Sequence, residues 1–118
     1  MMLAAIFSNI TYAETTTAKY GDYTYDSNGN VTIGGYYVTK DSVDDFLRKA
    51  GEAYSVTSIK VENSINVIGR EAFSGCKSTL KEINIPINVR RFEYNIFGES
   101  HNVQIKYSGD EEHWNSIY

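Results

Sequence analysis

Val56-Thr57-Ser58-Ile59-Lys60-Val61 and Leu80-Lys81-Glu82-Ile83-Asn84-Ile85 carry one pattern, 24 residues apart. At the same offset Ile65 meets Val89, Ile68 meets Phe92, Ala72 meets Ile96 and Phe73 meets Phe97. With Val56/Leu80, Ile59/Ile83 and Val61/Ile85, seven apolar positions coincide, and polar residues fill most places between them. An apolar skeleton repeated at a fixed period marks units that cannot bury their own cores and must stack on neighbours. Ile59 and Val61 alternate with Ser58, Lys60 and Glu62, so each unit opens with a strand buried on one face and wet on the other. Ile65 and Ile68 then turn the chain back across the core. Glu71-Ala72-Phe73 begins a short helical turn whose Phe73 plugs the far side.

A third strand, Val103-Gln104-Ile105-Lys106-Tyr107, follows 22 residues later, counted from Ile83 to Ile105. Stacking the three strands sets Ser58, Glu82 and Gln104 in one row and Lys60, Asn84 and Lys106 in the next. These six residues form a candidate partner-binding strand face. A plain solvated sheet face accounts for the same mixed polar ladder. The 24-residue period falls within the roughly 20–29 residues of leucine-rich repeats.

Upstream, Tyr20 to Ile33 places two β-prone runs around Asn28-Gly29, a dipeptide that favours a type I′ hairpin turn. Tyr23 and Tyr25 share one face of the hairpin, as do Val31 and Ile33. Gly34-Gly35 ends it, and Tyr36-Tyr37-Val38 extends a further strand. Asp41 to Gly51 reads as a short helix capped by Ser42 or Asp41, with Val43, Phe46, Leu47 and Ala50 on its core side. Asp26, Asn28 and Asn30 mimic the start of a calcium loop, but Val31 stands where such a loop needs Gly and Tyr37 where it needs Glu.

Met1 to Ala13 is uncharged and mostly apolar, and it ends on small Ala13 before polar Glu14. That is the pattern of a secretory leader, too short for a spanning helix of about 20 residues. It lacks the Lys or Arg that ordinarily precedes the apolar run, which leaves open a truncated start. The expected division is a leader over 1–13, a hairpin-and-helix cap over 14–55, and repeats with a C-terminal cap over 56–118. With 118 residues and a net charge of -4, the chain is one small acidic unit without a basic nucleic-acid-binding character. One Cys excludes an internal disulfide and a cysteine-rich zinc site.

Ile68-Gly69-Arg70-Glu71-Ala72-Phe73-Ser74-Gly75-Cys76, followed by Leu80-Lys81-Glu82-Ile83-Asn84-Ile85-Pro86, resembles the repeat of BspA-like leucine-rich repeat proteins, I-G-x-x-A-F-x-x-C and then L-x-x-I-x-I-P. The tail from Tyr107 to Ile117 resembles the closing Y-x-G-T-x-x-x-W-x-x-I segment, with Asp110 in place of Thr. The resemblance covers residues 56–117. The second unit departs from it at Phe92-Glu93, where Ile-Gly is usual, and from Ile96 to Ser100, where A-F-x-x-C is usual. The helix lies outside the usual pattern. The implied fold is α+β: a short, two-coil solenoid of parallel strands with short helical turns, preceded by a β-hairpin cap and one helix. The implied function is non-enzymatic. It is that of a bacterial secreted or cell-surface protein that binds or adheres to a host matrix protein or a bacterial surface component. A structural fragment of a longer repeat protein is the alternative.

The chemistry-bearing residues point the same way. Cys76 with His101 or His113 is the one Cys/His combination, and Cys76 falls at a buried repeat position. The neighbours Asp44-Asp45 and Glu111-Glu112 do not face each other on a helix, so neither makes a carboxylate dyad. Gly34-Gly35 lacks a phosphate-loop pattern. Trp114 reads as a cap over the last coil. No catalytic residue, cofactor, metal site, nucleic-acid partner or membrane span in the mature chain is expected.

Overall fold

The computed structural model describes residues 16–98 and 102–117. Strands β1 (Thr17–Tyr20), β2 (Tyr23–Asp26), β3 (Asn30–Ile33) and β4 (Tyr37–Val38) precede helix α1 (Lys40–Ala50). Strands β5 (Ser58–Val61) and β6 (Val67–Ile68) lead to a 3-10 turn (Ser74–Thr79). Strands β7 (Glu82–Ile85), β8 (Arg91–Phe92) and β9 (Gln104–Tyr107) then run to helix α2 (Glu111–Asn115).

The 24-residue offset is a physical register. Ser58 pairs with Glu82, Ile59 with Ile83 and Ile68 with Phe92, all in parallel strands. Of the fourteen residues in the seven matched pairs, twelve are buried, while Phe92 and Phe97 are partly buried against the same core. Two sheets result. One has six strands in the order β9-β7-β5-β3-β2-β1, and the other has three in the order β4-β6-β8. Each passage of the chain puts one strand in the first sheet and one in the second, so the apolar residues between them face a shared interior.

The count of two coils changes to three. β3 is more than the second arm of a hairpin: Val31 and Ile33 pair in parallel with Ile59 and Val61, and Val38 pairs with Ile68. The first coil escapes a fixed-period reading because its corner is shorter. Ile33 to Val38 spans five residues, whereas Val61 to Ile68 and Ile85 to Phe92 span seven. Helix α1 belongs to this first coil, on the side that the next coil closes with its 3-10 turn. Its contact with that turn depends on Gly75, where an added Cβ would lie 2.8 Å from Asp44 Oδ1 and 2.9 Å from Leu47 Cδ1.

Local chemistry sets the corners. The hairpin turn is not type I′, because Gly29 adopts a left-handed φ of 89° and Asn28 does not. A three-residue loop closes instead, with Gly29 N donating to Asp26 O (3.3 Å) and the Asp26 carboxylate accepting from Asn28 N (2.8 Å) and Asn30 N (3.0 Å). An added Cβ at Gly29 would come within 2.5 Å of Ser55 O, so the turn lies tight against the next coil. Helix α1 is capped by Thr39, two residues before the expected region. Its Oγ1 accepts from Ser42 N (3.0 Å) while its own N–H donates to Ser42 Oγ (3.3 Å). Glu71 and Asn95, 24 residues apart, both hold φ at 54°, so the repeat demands a left-handed residue at this corner. Asn tolerates that conformation and Glu does so at a cost.

The N-terminal end of the core is closed by aromatic rings. Phe46, 1% exposed, stacks on Tyr23 at 5.0 Å and meets Tyr25 edge-on at 4.9 Å and Tyr54 at 6.1 Å. Tyr23 donates to or accepts from Ser42 Oγ at 2.7 Å, and Tyr54 OH donates to Asp26 O at 2.9 Å, so the hydroxyls of buried Tyr23 and half-buried Tyr54 are both satisfied.

Two substitutions probe this arrangement. Phe46→Ala removes the ring that the three tyrosines enclose and is expected to cost about 3–5 kcal/mol in chemical denaturation. Glu71→Asn relieves the left-handed corner and is expected to stabilise by about 0.5–1 kcal/mol in the same measurement. An unchanged midpoint for either would contradict the packing or the strain assigned to it.

Candidate functional site

The outward face of the six-stranded sheet is built by the strand registers. Gln104, Glu82, Ser58 and Asn30 form one row of paired positions, and Lys106, Asn84, Lys60 and Thr32 form the next. The six residues singled out from sequence therefore lie together on neighbouring strands spaced by about 4.8 Å. Asn30 and Thr32 join them because β3 is a rung of the same sheet. The second row continues through Thr24 to Lys19 on the antiparallel strands. Alternation decides the face: Ile59, Val61, Ile83 and Ile85 point into the core, which turns the residues between them to solvent.

The polar groups on this face are partly tied together. Lys106 Nζ lies 3.2 Å from Glu82 Oε1, and Asn84 Nδ2 donates to Glu82 Oε2 at 3.3 Å. The first contact crosses diagonally between strands, the second runs along β7, and Glu82 is half-buried. Among the described residues Lys60 has no acidic partner within 4 Å, and it is exposed at the centre of the ladder. A shallow depression of about 240 Å³ lies beside it, lined by Lys60, Asn84, Lys106 and Tyr107 among others.

The nucleophile candidate is buried. Cys76 is buried on the 3-10 turn, and burial, reinforced by the Asp44 charge, pushes its thiol up to about 12. At neutral pH it is therefore a protonated thiol, and among the described residues it has no histidine partner. His113 is exposed on α2, with Nδ1 2.7 Å from Asp110 Oδ1. His101 lies outside the described residues. Asp110 is the N-cap of α2 and accepts the His113 backbone N–H at 2.8 Å, which, with the ring contact, holds its carboxyl below the usual range. Asp at this place thus does the capping work open to Thr.

The paired carboxylates also separate: Lys40 Nζ binds Asp44 at 2.6 Å, while Asp45 pairs with Arg48. Burial raises the Asp26 pKa, but the donors of Asn30 and Asn28 outweigh it and set the carboxyl below its ordinary value. Those donors occupy the oxygens a cation would need. Among the described residues no group of three or more His, Cys, Asp or Glu is placed to hold a metal, and no helix is long and apolar enough to cross a membrane.

Trp114 closes the C-terminal end. It meets Phe92 edge-on at 5.4 Å and Tyr107 at 5.2 Å, and Ile117 nearby in sequence is buried. Gly109 makes room for this lid, since a Cβ there would lie 2.6 Å from Tyr107 Cε2.

A second cluster lies on the three-stranded side and was not singled out from sequence. The Tyr37 hydroxyl donates to Glu93 Oε1 at 3.0 Å, passing over Gly69 of the intervening coil. Arg70 N donates to the same oxygen at 3.2 Å, and Arg91 Nη2 donates to Glu93 Oε2 at 3.0 Å. The Tyr37 hydrogen bond leads the effects that hold the Glu93 carboxyl below its ordinary range. The only sequence signal was the departure at Glu93, where the repeat usually has Gly.

Residues 48–115 match the family model described as the BspA type leucine-rich repeat region (6 copies). No curated protein and no solved structure matches the chain. From the burial of Cys76, a thiol reagent is expected to leave the native protein unmodified and to label Cys76 fully in denaturant. Stoichiometric labelling of the native fold would overturn the buried assignment.

Proposed function

We propose that this chain, which belongs to the BspA-type leucine-rich repeat family, is a non-enzymatic binding module for a protein partner, built as a short solenoid. The observation that carries this reading is the repeat match over 48–115, joined to registers that assemble one continuous polar wall from successive coils. Stacked repeats suit this task because each coil adds side chains to an extended surface without changing the core beneath. The wall formed by Ser58, Lys60, Glu82, Asn84, Gln104 and Lys106 is the proposed contact face. Residues 1–13 act as a secretory leader, residues 14–55 supply the N-terminal cap and first coil, and residues 56–118 supply the remaining coils and closing lid. The partner is a host matrix protein or a bacterial surface component met outside a bacterial cell, where the protein is secreted or surface-bound and serves adhesion.

The test is a binding screen with the full chain against purified matrix proteins and bacterial surface fractions, alongside fractionation of the producing cells. For any protein bound, Lys60→Ala with Asn84→Ala is expected to weaken binding at least about tenfold while leaving the melting temperature unchanged. Absence of any bound protein, retention inside the cell, or binding indifferent to the double substitution would each reject the corresponding part of the proposal.

A further inference from the structure

The groove on the three-stranded side differs in kind from the polar wall. Its cavity of about 570 Å³ is lined by Tyr37, Gly69, Glu93 and Tyr94 among others. Tyr94 is 72% exposed, Tyr37 is 47% exposed, and neighbouring Tyr36 is 65% exposed. Backbone pairing places Tyr36 beside Asn66 and Asn66 beside Arg90, and strand register places Tyr37, Val67 and Arg91 in one row. Tyrosine and arginine are the residue types most often found at the energetic centres of protein interfaces, whereas Lys, Glu and Ser are depleted there. The polar wall is made largely of the depleted types. This side gathers exposed tyrosines and arginines instead.

The charge in the groove selects its occupant. Glu93 is fixed by three donors, and Oε2, which takes only Arg91, keeps room for a further hydrogen bond. Asp41 and Glu71 also line the groove, against Lys40, already held by Asp44, and Arg70. Counted with the ion-pair partners Asp44 and Arg91, these groups carry four negative charges against three positive. Two exposed tyrosine rings beside a fixed carboxylate favour a cation, which gains from both the ring faces and the charge.

We propose that this groove is a second docking surface, taking an arginine or lysine side chain of a partner protein between Tyr37 and Tyr94 and onto Glu93. It rests on the reading of the chain as a protein-binding module, but its test needs no natural partner. Isotope-labelled full chain is titrated with N-acetyl-arginine amide and N-acetyl-lysine amide, with N-acetyl-glutamine amide and N-acetylglucosamine as controls, and amide shifts are followed.

The expected result is saturable shifts confined to residues 37–41, 69–71 and 93–95 with the cationic probes alone. Tyr94→Ala, an exposed change, is expected to weaken binding about two- to fivefold. Glu93→Gln is expected to weaken it further. Shifts scattered over the surface, an equal response to the glutamine probe, a stronger response to the sugar, or an unchanged affinity in Tyr94→Ala would overturn the proposal. Absence of saturable shifts with both cationic probes would reject this groove and leave the module reading intact.

Discussion

A coil of this chain cannot close its own core, and that constraint governs the rest of the molecule. Each coil supplies a strand to one sheet and a shorter strand to the other, and its apolar residues are covered only when the next coil is laid in register. Backbone hydrogen bonds enforce that register at the corners, as from Gly69 N to Val38 O (2.7 Å), Glu93 N to Ile68 O (2.9 Å) and Phe73 N to Ile96 O (2.7 Å). Burial and pairing are thus satisfied by the same neighbour. A slip of one residue would turn Ile59 and Ile83 outward and bring Lys60 and Asn84 into the core.

The constraint leaves two ends, and a cluster of aromatic rings covers each. At the first end Tyr23, Tyr25 and Tyr54 gather around Phe46. At the other Trp114 lies on Phe92 and Tyr107, and Ile117 nearby in sequence is buried. Large rings cover wide areas with few rotatable bonds, which suits a cap that must seal several strands at once. Four of the ten tyrosines, Tyr23, Tyr25, Tyr54 and Tyr107, serve these two ends.

How much of this was legible depended on period. The pairs from Val56/Leu80 to Phe73/Phe97 could be read because both coils keep one spacing, and the rows of the strand face followed from it. The first coil was hidden by its shorter corner and by a true helix in place of a 3-10 turn, so Val31, Ile33 and Val38 read as a separate hairpin and strand. Thr39 carries no distinct cap signal in the sequence because Asp41 and Ser42, two and three residues later, offer the same chemistry. The contact between Tyr37 and Glu93 was beyond sequence reasoning. Its 56-residue separation has no local signature, and only the stacked geometry brings the two together. Asn28-Gly29 announced a turn correctly but not its type, which Asp26 decides by capturing the following N–H groups.

The hydrogen bond from Tyr37 to Glu93 joins the first coil to the third and bypasses the second. Arrays of stacked units ordinarily behave as chains of nearest-neighbour couplings, in which an end unit frays while the remainder persists. A link across two interfaces adds a next-nearest coupling. Opening the third coil removes an acceptor from Tyr37 in the first, so disorder at one end is felt at the other. In an array of three coils such a tie spans the whole repeat, and it favours melting as a single cooperative unit over peeling coil by coil.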